Sequence, residues 1–132
     1  MTTTPQTLHK KKLLWIEDDA LLGAILGKEL ATTNMELIHA TNGEEAMTLL
    51  KGMVPDVVMV DLVLPGKLDG FGILGEMAAD PRLKDIPRIV LSNLSKPSDI
   101  ERAKQLGAQK FMVKAESTLA SIISEVKSLA DL

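Results

Sequence analysis

The chain has 132 residues, a formal net charge of −3 and no cysteine, and 45% of its residues are hydrophobic and 25% charged. These values are typical of one globular domain with its own core, and they exclude disulfides, cysteine-ligated metals and thiol catalysis. The mild negative charge and the 2% of aromatic residues argue against direct nucleic-acid binding, and the apolar runs are too short to span a membrane.

The first predicted elements alternate between strand and helix. We expect residues 1–10 to form a disordered leader and residues 11–132 to form the domain. Lys12–Ile16 reads as a strand that stops at the acidic triplet 17–19, and apolar residues at helical spacing follow from Leu21 to Leu30. Met35–Ala40 predicts the second strand.

The middle of the chain repeats this pattern. Thr41–Glu44 has a capping-box sequence and predicts the start of the second helix, which carries apolar residues 46–50. Val57–Val60 is a continuous aliphatic run, which suits a strand buried on both faces of a parallel sheet. Asp69 is placed to cap a third helix over residues 71–77.

The last third contains two further strand–helix units. Arg88–Leu91 predicts a strand, and the helix over residues 100–106 should end at Gly107. Phe111–Val113 predicts the fifth strand, and Leu119–Leu129 predicts the fifth helix. Five strand–helix units with short connections predict an α/β fold whose parallel sheet is covered by helices on both faces.

Chemically capable side chains follow the predicted strands. Ligands of open α/β sheets bind beyond the carboxyl ends of the strands, and the residues there are Glu17, Asp18, Asp61, Ser92 and Lys114. Carboxylates held close together repel one another unless a cation joins them, and Mg²⁺ suits a carboxylate site shared with phosphate. An aspartate can be the nucleophile in phosphoryl transfer, and a lysine and a hydroxyl can neutralise phosphoryl oxygens.

From about Lys11 to Leu129 the chain resembles the receiver domain of bacterial response regulators, including the single-domain chemotaxis type. The resemblance implies a flavodoxin-like (βα)5 fold, a three-layer α/β/α sandwich with strand order 2-1-3-4-5. It is carried by four motifs in register, namely LLWIEDD (13–19), PDVVMVDLVLPGKLDG (55–70), IVLSN (89–93) and GAQKFMVK (107–114).

The resemblance also implies roles for single residues. Asp61 corresponds to the phospho-acceptor, and Glu17 and Asp18 correspond to the acidic pair that binds Mg²⁺ together with Asp61. Val63 would contribute its backbone carbonyl to the metal. A further group matches the phosphoryl-contacting and switch positions, namely the hydroxyl of Ser92, the ammonium of Lys114 and the aromatic ring of Phe111.

A phosphorylation switch is the function that follows from the resemblance. A sensor histidine kinase or a phosphotransfer protein would phosphorylate Asp61 in a Mg²⁺-dependent reaction. The face of the fourth helix, fifth strand and fifth helix would then change its affinity for an unknown output protein, or pair two copies of the chain. The resemblance implies that such a domain would be cytoplasmic, would contact neither nucleic acid nor membrane, and would catalyse only its own phosphotransfer and dephosphorylation.

Several positions depart from the family pattern. The loop Pro65–Asp69 is one residue longer than usual, Asn93 replaces a small residue and is expected to narrow access to Asp61, and Phe111 replaces the commoner tyrosine. Ala115 replaces a proline that is usually preceded by a cis bond. A cis bond before alanine would cost roughly 2.5–4 kcal/mol, so a trans bond is expected here.

Other interpretations of the same residues remain open. Asp18 and Asp19 could both simply cap the first helix, and His9 and His39 read as structural residues. A receiver-like interaction module that is never phosphorylated is the main alternative function. A phosphatase of the haloacid-dehalogenase type would need an acid at position 63, which is valine, and a flavin site would need a phosphate-binding loop after the first strand.

Overall fold

Five strands and five α-helices alternate along residues 10–131, the part of the chain that the computed structural model describes. Residues 1–9, which are all but the last residue of the predicted leader, lie outside this part. The strands are β1 (Lys11–Ile16), β2 (Met35–Ala40), β3 (Val57–Val60), β4 (Arg88–Ser92) and β5 (Lys110–Val113). The α-helices are α1 (Ala20–Leu30), α2 (Gly43–Gly52), α3 (Gly70–Ala79), α4 (Pro97–Gln105) and α5 (Leu119–Leu129), and a short 3₁₀ helix spans Lys114–Glu116.

The strands form one parallel sheet in the order β2-β1-β3-β4-β5, which confirms the predicted fold. The chain reverses its direction of travel across the sheet after β2, so β1 and β3 are neighbours at a topological switch point. Ile16 pairs with Val60, and the Asp61 N–H donates to the Ile16 carbonyl at 3.0 Å. This register places the residues that follow β1 directly beside the residue that follows β3.

Two separate hydrophobic clusters fill the spaces above and below the sheet. Successive side chains of a strand point to opposite faces, so Leu14 and Ile16 pack with α2, α3 and α4, whereas Leu13 and Trp15 pack with α1 and α5. All four side chains of β3 are completely buried, as its aliphatic sequence predicted. No helix within residues 10–131 combines the length and the apolar character needed to cross a membrane.

Helix α2 begins one residue later than its sequence indicated. The predicted capping box at Thr41–Glu44 is wrong, because Asn42 is the N-cap and its side chain accepts the N–H of Glu45 at 2.8 Å. The Glu45 carboxylate in turn accepts the N–H of Thr41 at 2.6 Å. This shift leaves Glu44 free to contact another segment, the loop between β3 and α3.

Helix α4 and its end follow the prediction in part. The helix begins at Pro97, one turn before the first apolar residue of the predicted helix. Proline suits the first helical position because it lacks the backbone N–H that would have no intrahelical acceptor there. Gly107 follows its C-cap with φ of +100°, and the Ala108 N–H donates to the Ala103 carbonyl at 3.0 Å. This is the glycine-terminated end that the sequence indicated.

Candidate functional site

The four side chains with the strongest sequence signals meet at the carboxyl edge of the sheet. Glu17 follows β1, Asp61 follows β3, Ser92 is the last residue of β4, and Lys114 follows β5. Glu17, Asp61 and Ser92 are buried, and the Lys114 side chain is 23% exposed. A parallel sheet produces this convergence, because its strands all end on the same side.

The Asp61 carboxylate accepts three hydrogen bonds. The Ser92 hydroxyl donates to Oδ1 at 2.7 Å, and the Val63 N–H donates to the same oxygen at 3.1 Å. The Lys114 ammonium donates to Oδ2 at 2.8 Å. Asp61 is therefore held in one orientation by donors on three different segments.

Lys114 also forms a 2.6 Å ion pair with Glu17, so a single ammonium bridges two buried carboxylates. Burial lowers the pKa of Lys114, but hydrogen bonds to Asp61 and Glu17 outweigh that effect and raise it above the ordinary 10.5. Burial raises the pKa of Glu17 above 4.5, against the opposing effect of the Lys114 hydrogen bond. The short contact indicates a charged pair in which one ammonium only partly offsets the desolvation of Glu17.

The acidic triplet after β1 divides into residues with different roles. Asp19 is the N-cap of α1, where its Oδ1 accepts the N–H groups of Leu21 at 3.0 Å and Leu22 at 3.2 Å. Asp18 is exposed, and it places a carboxylate oxygen in a group with Glu17 and Asp61. The capping interpretation is therefore confirmed for Asp19, whereas Asp18 belongs to the acidic cluster.

The acidic cluster fits a small divalent cation. One oxygen from each of Glu17, Asp18 and Asp61 lies within 4.8 Å of the other two. Three oxygens that are 4.8 Å apart lie about 2.8 Å from their common centre, so inward shifts of at most roughly 0.7 Å would bring each of them to the Mg²⁺–oxygen distance of about 2.1 Å. Hard oxygen ligands and three carboxyl groups suit Mg²⁺ or Mn²⁺.

The loop after β3 is packed against α2. The Lys67 N–H donates to the Glu44 carboxylate at 3.1 Å, and Gly66 has φ of +91°, a conformation that glycine adopts without strain. Leu68 packs against the adjoining core so closely that a Cβ on Gly43 would lie 2.8 Å from the Leu68 Cβ. The loop is thus anchored on α2 through the Glu44 side chain.

The helix that follows this loop approaches the site through a glycine. A Cβ added to Gly70 would lie 2.6 Å from the Leu62 Cα and 2.9 Å from the Asp61 carbonyl carbon. The Gly70 N–H donates to the Leu62 carbonyl at 3.1 Å. Only glycine lets the first turn of α3 lie directly against the backbone that carries Asp61.

The remaining predicted site residues surround these groups. Ser92 is completely buried and its hydroxyl already points at Asp61, while Phe111 is half-buried and packs against the core beside α4. Val63 is 61% exposed. Asn93 is also exposed, and its effect on access to Asp61 stays a prediction. All peptide bonds within residues 10–131 are trans, which confirms the expectation for the bond before Ala115.

His39 supports the site in a way that the sequence did not indicate. Its Nε2–H donates to the Glu17 carbonyl at 2.6 Å, and its ring stacks on Trp15 with the ring centroids 5.8 Å apart. Gly23 on α1 makes room for the ring, since a Cβ there would lie 2.6 Å from the His39 Cε1. The structural interpretation of His39 is correct, and the residue that it supports is a member of the acidic cluster.

Residues 13–127 match the family model described as response regulator receiver domain. A probable transcriptional regulator, ycf27, from Porphyridium aerugineum is 37% identical over 107 residues. That alignment covers 81% of this chain and 43% of the regulator, and the chain spans less than half the length of each of five ycf27 relatives that it matches.

Solved structures show the same similarity. The signal receiver domain of a signal transduction histidine kinase from Syntrophus aciditrophicus is 30% identical with a TM-score of 0.82, and the alignment covers 92% of this chain and 90% of that one. The phosphorylated cyanobacterial phytochrome response regulator RcpA is 30% identical with a TM-score of 0.78, and the alignment covers 93% of each chain.

Proposed function

This chain belongs to the response regulator receiver domain family, and we propose that it is switched by transfer of a phosphoryl group to Asp61. The observation that carries the proposal is the set of groups around this carboxylate. A hydroxyl, a backbone N–H and an ammonium all lie within hydrogen-bond distance of Asp61, and two further carboxyl groups lie beside it. Phosphoryl transfer requires positioning and charge neutralisation more than covalent chemistry, and these groups supply both.

The transfer itself needs only one nucleophile. A carboxylate oxygen of Asp61 attacks the phosphorus of a phosphohistidine on a sensor kinase or phosphotransfer protein. The new O–P bond forms as the P–N bond breaks, and the histidine nitrogen keeps the electron pair. In a separate step, water attacks the phosphorus, the O–P bond to Asp61 breaks, and inorganic phosphate leaves while the carboxylate is restored. The domain would therefore catalyse only its own phosphorylation and dephosphorylation.

The surrounding residues have separate tasks in this proposal. The ammonium of Lys114 gives up one of its carboxylate contacts and pairs with a phosphoryl oxygen. The hydroxyl of Ser92 turns from the carboxylate to another phosphoryl oxygen. Because Ser92 is already buried and directed at Asp61, this needs a smaller movement than drawing in an outward-facing hydroxyl.

Glu17, Asp18 and Asp61 would hold Mg²⁺, with the backbone carbonyl of Val63 as a further ligand. The bound cation supplies charge neutralisation at the transferring group. The raised pKa of Glu17 supports this assignment, since burial leaves its charge only partly compensated by Lys114. A divalent cation would complete that compensation.

The output would be a change of binding surface. Ser92 ends β4, and Phe111 lies on the neighbouring strand β5, so a change at Asp61 reaches the face formed by α4, β5 and α5. The partner would be an output protein, or a second copy of the chain. The ycf27 relatives are named as transcriptional regulators and extend well beyond the matched region, so a DNA-binding output elsewhere in such a protein is consistent with this role.

A direct test uses a small acyl phosphate and Mg²⁺ with intact-mass detection of one added phosphoryl group. Wild type should be modified, and Asp61→Asn should not. Asp56→Asn is the matched control, because Asp56 lies at the other end of β3 and accepts the Lys12 N–H at 2.7 Å, which asparagine can also do. Chelation of Mg²⁺ should abolish modification of both wild type and the control.

The same assay separates the alternatives. An unmodified wild type that is fully folded would reject the proposal and favour an interaction module that is never phosphorylated. Equal modification of wild type and Asp61→Asn would show that the phosphoryl group goes elsewhere. Continuous release of phosphate from many phosphomonoesters would instead indicate a phosphatase.

A further inference from the structure

The two residues that directly follow Ser92 and Lys114 are joined by a hydrogen bond. The Asn93 Oδ1 accepts the N–H of Ala115 at 2.8 Å. Asn93 lies in the loop after β4 and Ala115 in the 3₁₀ helix after β5. The bond therefore links the two segments that bring the hydroxyl and the ammonium to Asp61.

The Ala115 N–H needs an acceptor from outside its own segment. It lies in the first turn of a three-residue helix, where N–H groups have no intrahelical partner. The other end of this turn is closed locally, since Ser117 donates its hydroxyl to the Val113 carbonyl at 2.7 Å and its N–H to the Lys114 carbonyl at 3.3 Å. Asn93 thus supplies a side-chain acceptor to the end of the turn that carries Lys114.

The position of Lys114 depends on this turn. Its ammonium reaches Asp61 and Glu17 at 2.8 and 2.6 Å through a long, flexible side chain. Such a side chain keeps those distances with less loss of entropy when its backbone is fixed. The Asn93 bond fixes the peptide bond immediately after the Lys114 Cα.

We propose that Asn93 is a positioning residue for phosphoryl transfer, which holds the backbone of Lys114 through the Ala115 N–H. This inference rests on the proposed phosphorylation of Asp61. A positioning residue and a residue that only narrows access to Asp61 have opposite effects on the rate of phosphorylation. A residue that narrows access slows phosphorylation, and its truncation would speed it. A residue that positions the ammonium speeds the reaction, and its truncation slows it.

The test compares Asn93→Ala with wild type in two measurements. The first is hydrogen exchange of the Ala115 amide in the unphosphorylated protein, measured by NMR. The second is the rate of phosphorylation by a small acyl phosphate with saturating Mg²⁺. Loss of one exposed hydrogen bond typically changes an equilibrium or rate constant by about 3- to 10-fold. We expect Ala115 exchange to accelerate, and phosphorylation to slow, each by about this factor.

Two further variants separate positioning from a general loss of stability. Asn93→Asp keeps the side-chain acceptor, so the Ala115 amide should exchange about as slowly as in wild type. Ala115→Ser keeps the N–H and should match wild type in both measurements. The exchange of amides in β1, which is remote from the bond, should be the same in all variants.

Three outcomes would overturn the inference. Faster phosphorylation of Asn93→Ala would assign the residue to access instead. Unchanged Ala115 exchange in that variant would show that the bond does not protect the amide, and fast exchange in Asn93→Asp would show that the acceptor is not what matters. A wild type that is never phosphorylated would reject the proposed function itself, whatever the Ala115 amide shows.

Discussion

Replacing Gly70 by alanine tests whether the first turn of α3 holds Asp61 in place by close contact. The added Cβ would lie 2.6 Å from the Leu62 Cα, whereas carbon atoms in contact are normally about 3.5–4.0 Å apart. The helix or the strand end must therefore move by about 1 Å. The atoms involved belong to the backbone, so no side-chain rotation can relieve the overlap.

Two magnitudes follow from this displacement. Overpacking of a well-filled site typically costs about 1–3 kcal/mol, and we expect the free energy of unfolding of Gly70→Ala to fall within that range. A misplacement of about 1 Å can slow a positioned reaction by about 100-fold. The rate of phosphorylation should therefore fall more than the modest loss of stability would suggest.

Gly75 provides the matched control within the same helix. A Cβ at Gly75 would have its nearest neighbour, the Leu106 Cδ2, at 4.0 Å, which is an ordinary contact. Alanine is a better helix former than glycine in a helix interior, so Gly75→Ala should stabilise the protein by about 0.5–1 kcal/mol. Its phosphorylation rate should stay that of wild type.

Urea unfolding and acyl-phosphate kinetics measure both effects. The two substitutions should change stability with opposite signs, although each adds one methyl group to α3. A Gly70→Ala variant with the stability and phosphorylation rate of wild type would refute the proposed close approach. Equal slowing by Gly75→Ala would assign the effect to the whole helix instead of to the contact with Asp61.

Three further predictions concern the charges and the exposed rim of the site. Asp18→Asn should weaken Mg²⁺ binding at least about tenfold, and so reduce the stabilisation by Mg²⁺ in thermal unfolding by about 1.4 kcal/mol; because Asp18 is exposed, its unfolding in a chelator should be unchanged. Lys114→Met leaves Glu17 and Asp61 without their ammonium and should cost about 2–3 kcal/mol in urea unfolding without metal, less than for a fully buried pair because the lysine is 23% exposed. Since the pKa of Lys114 is raised, this difference from wild type should be complete between neutral pH and pH 10.5 and disappear as the pH rises through the raised pKa; a difference independent of pH would contradict an ionic origin. Val63 is an exposed hydrocarbon that cannot orient water, so Val63→Asn should speed loss of the phosphoryl group about tenfold, as one added hydrogen bond allows, and an unchanged lifetime would count against this reason.

The fold followed from the sequence because its signals agreed with one another. Aliphatic runs such as Val57–Val60 are long enough to show a buried strand, and the apolar residues of α1 and α5 recur at helical spacing. The start of α2 was predicted one residue early because the capping-box spacing pointed to Thr41, whereas Asn42 is intrinsically the better N-cap residue. The tertiary contact between Glu44 and Lys67 favours the later start.

The site could be predicted as a set of residues but not as an arrangement of bonds. Strand ends identify Glu17, Asp61, Ser92 and Lys114, because a parallel sheet must bring its carboxyl ends together. Adjacent acidic residues do not reveal which one caps the helix, and only the backbone geometry assigns that role to Asp19. The pairing of Lys114 with Glu17 joins residues 97 positions apart, and no local pattern contains that information.

Asn93 and Ala115, the two positions that the resemblance singled out separately, are joined in the fold by one contact. Considered singly, the first adds bulk beside the site and the second removes a proline. In the fold, Asn93 accepts and Ala115 donates the same 2.8 Å hydrogen bond. Proline has no N–H, so with proline at position 115 the side chain of Asn93 would have no donor there. With alanine at position 115 but no asparagine at position 93, the N–H of Ala115 would be left to bond to water. The acceptor at position 93 and the donor at position 115 are both needed for this bond, and together they fix the backbone position of Lys114.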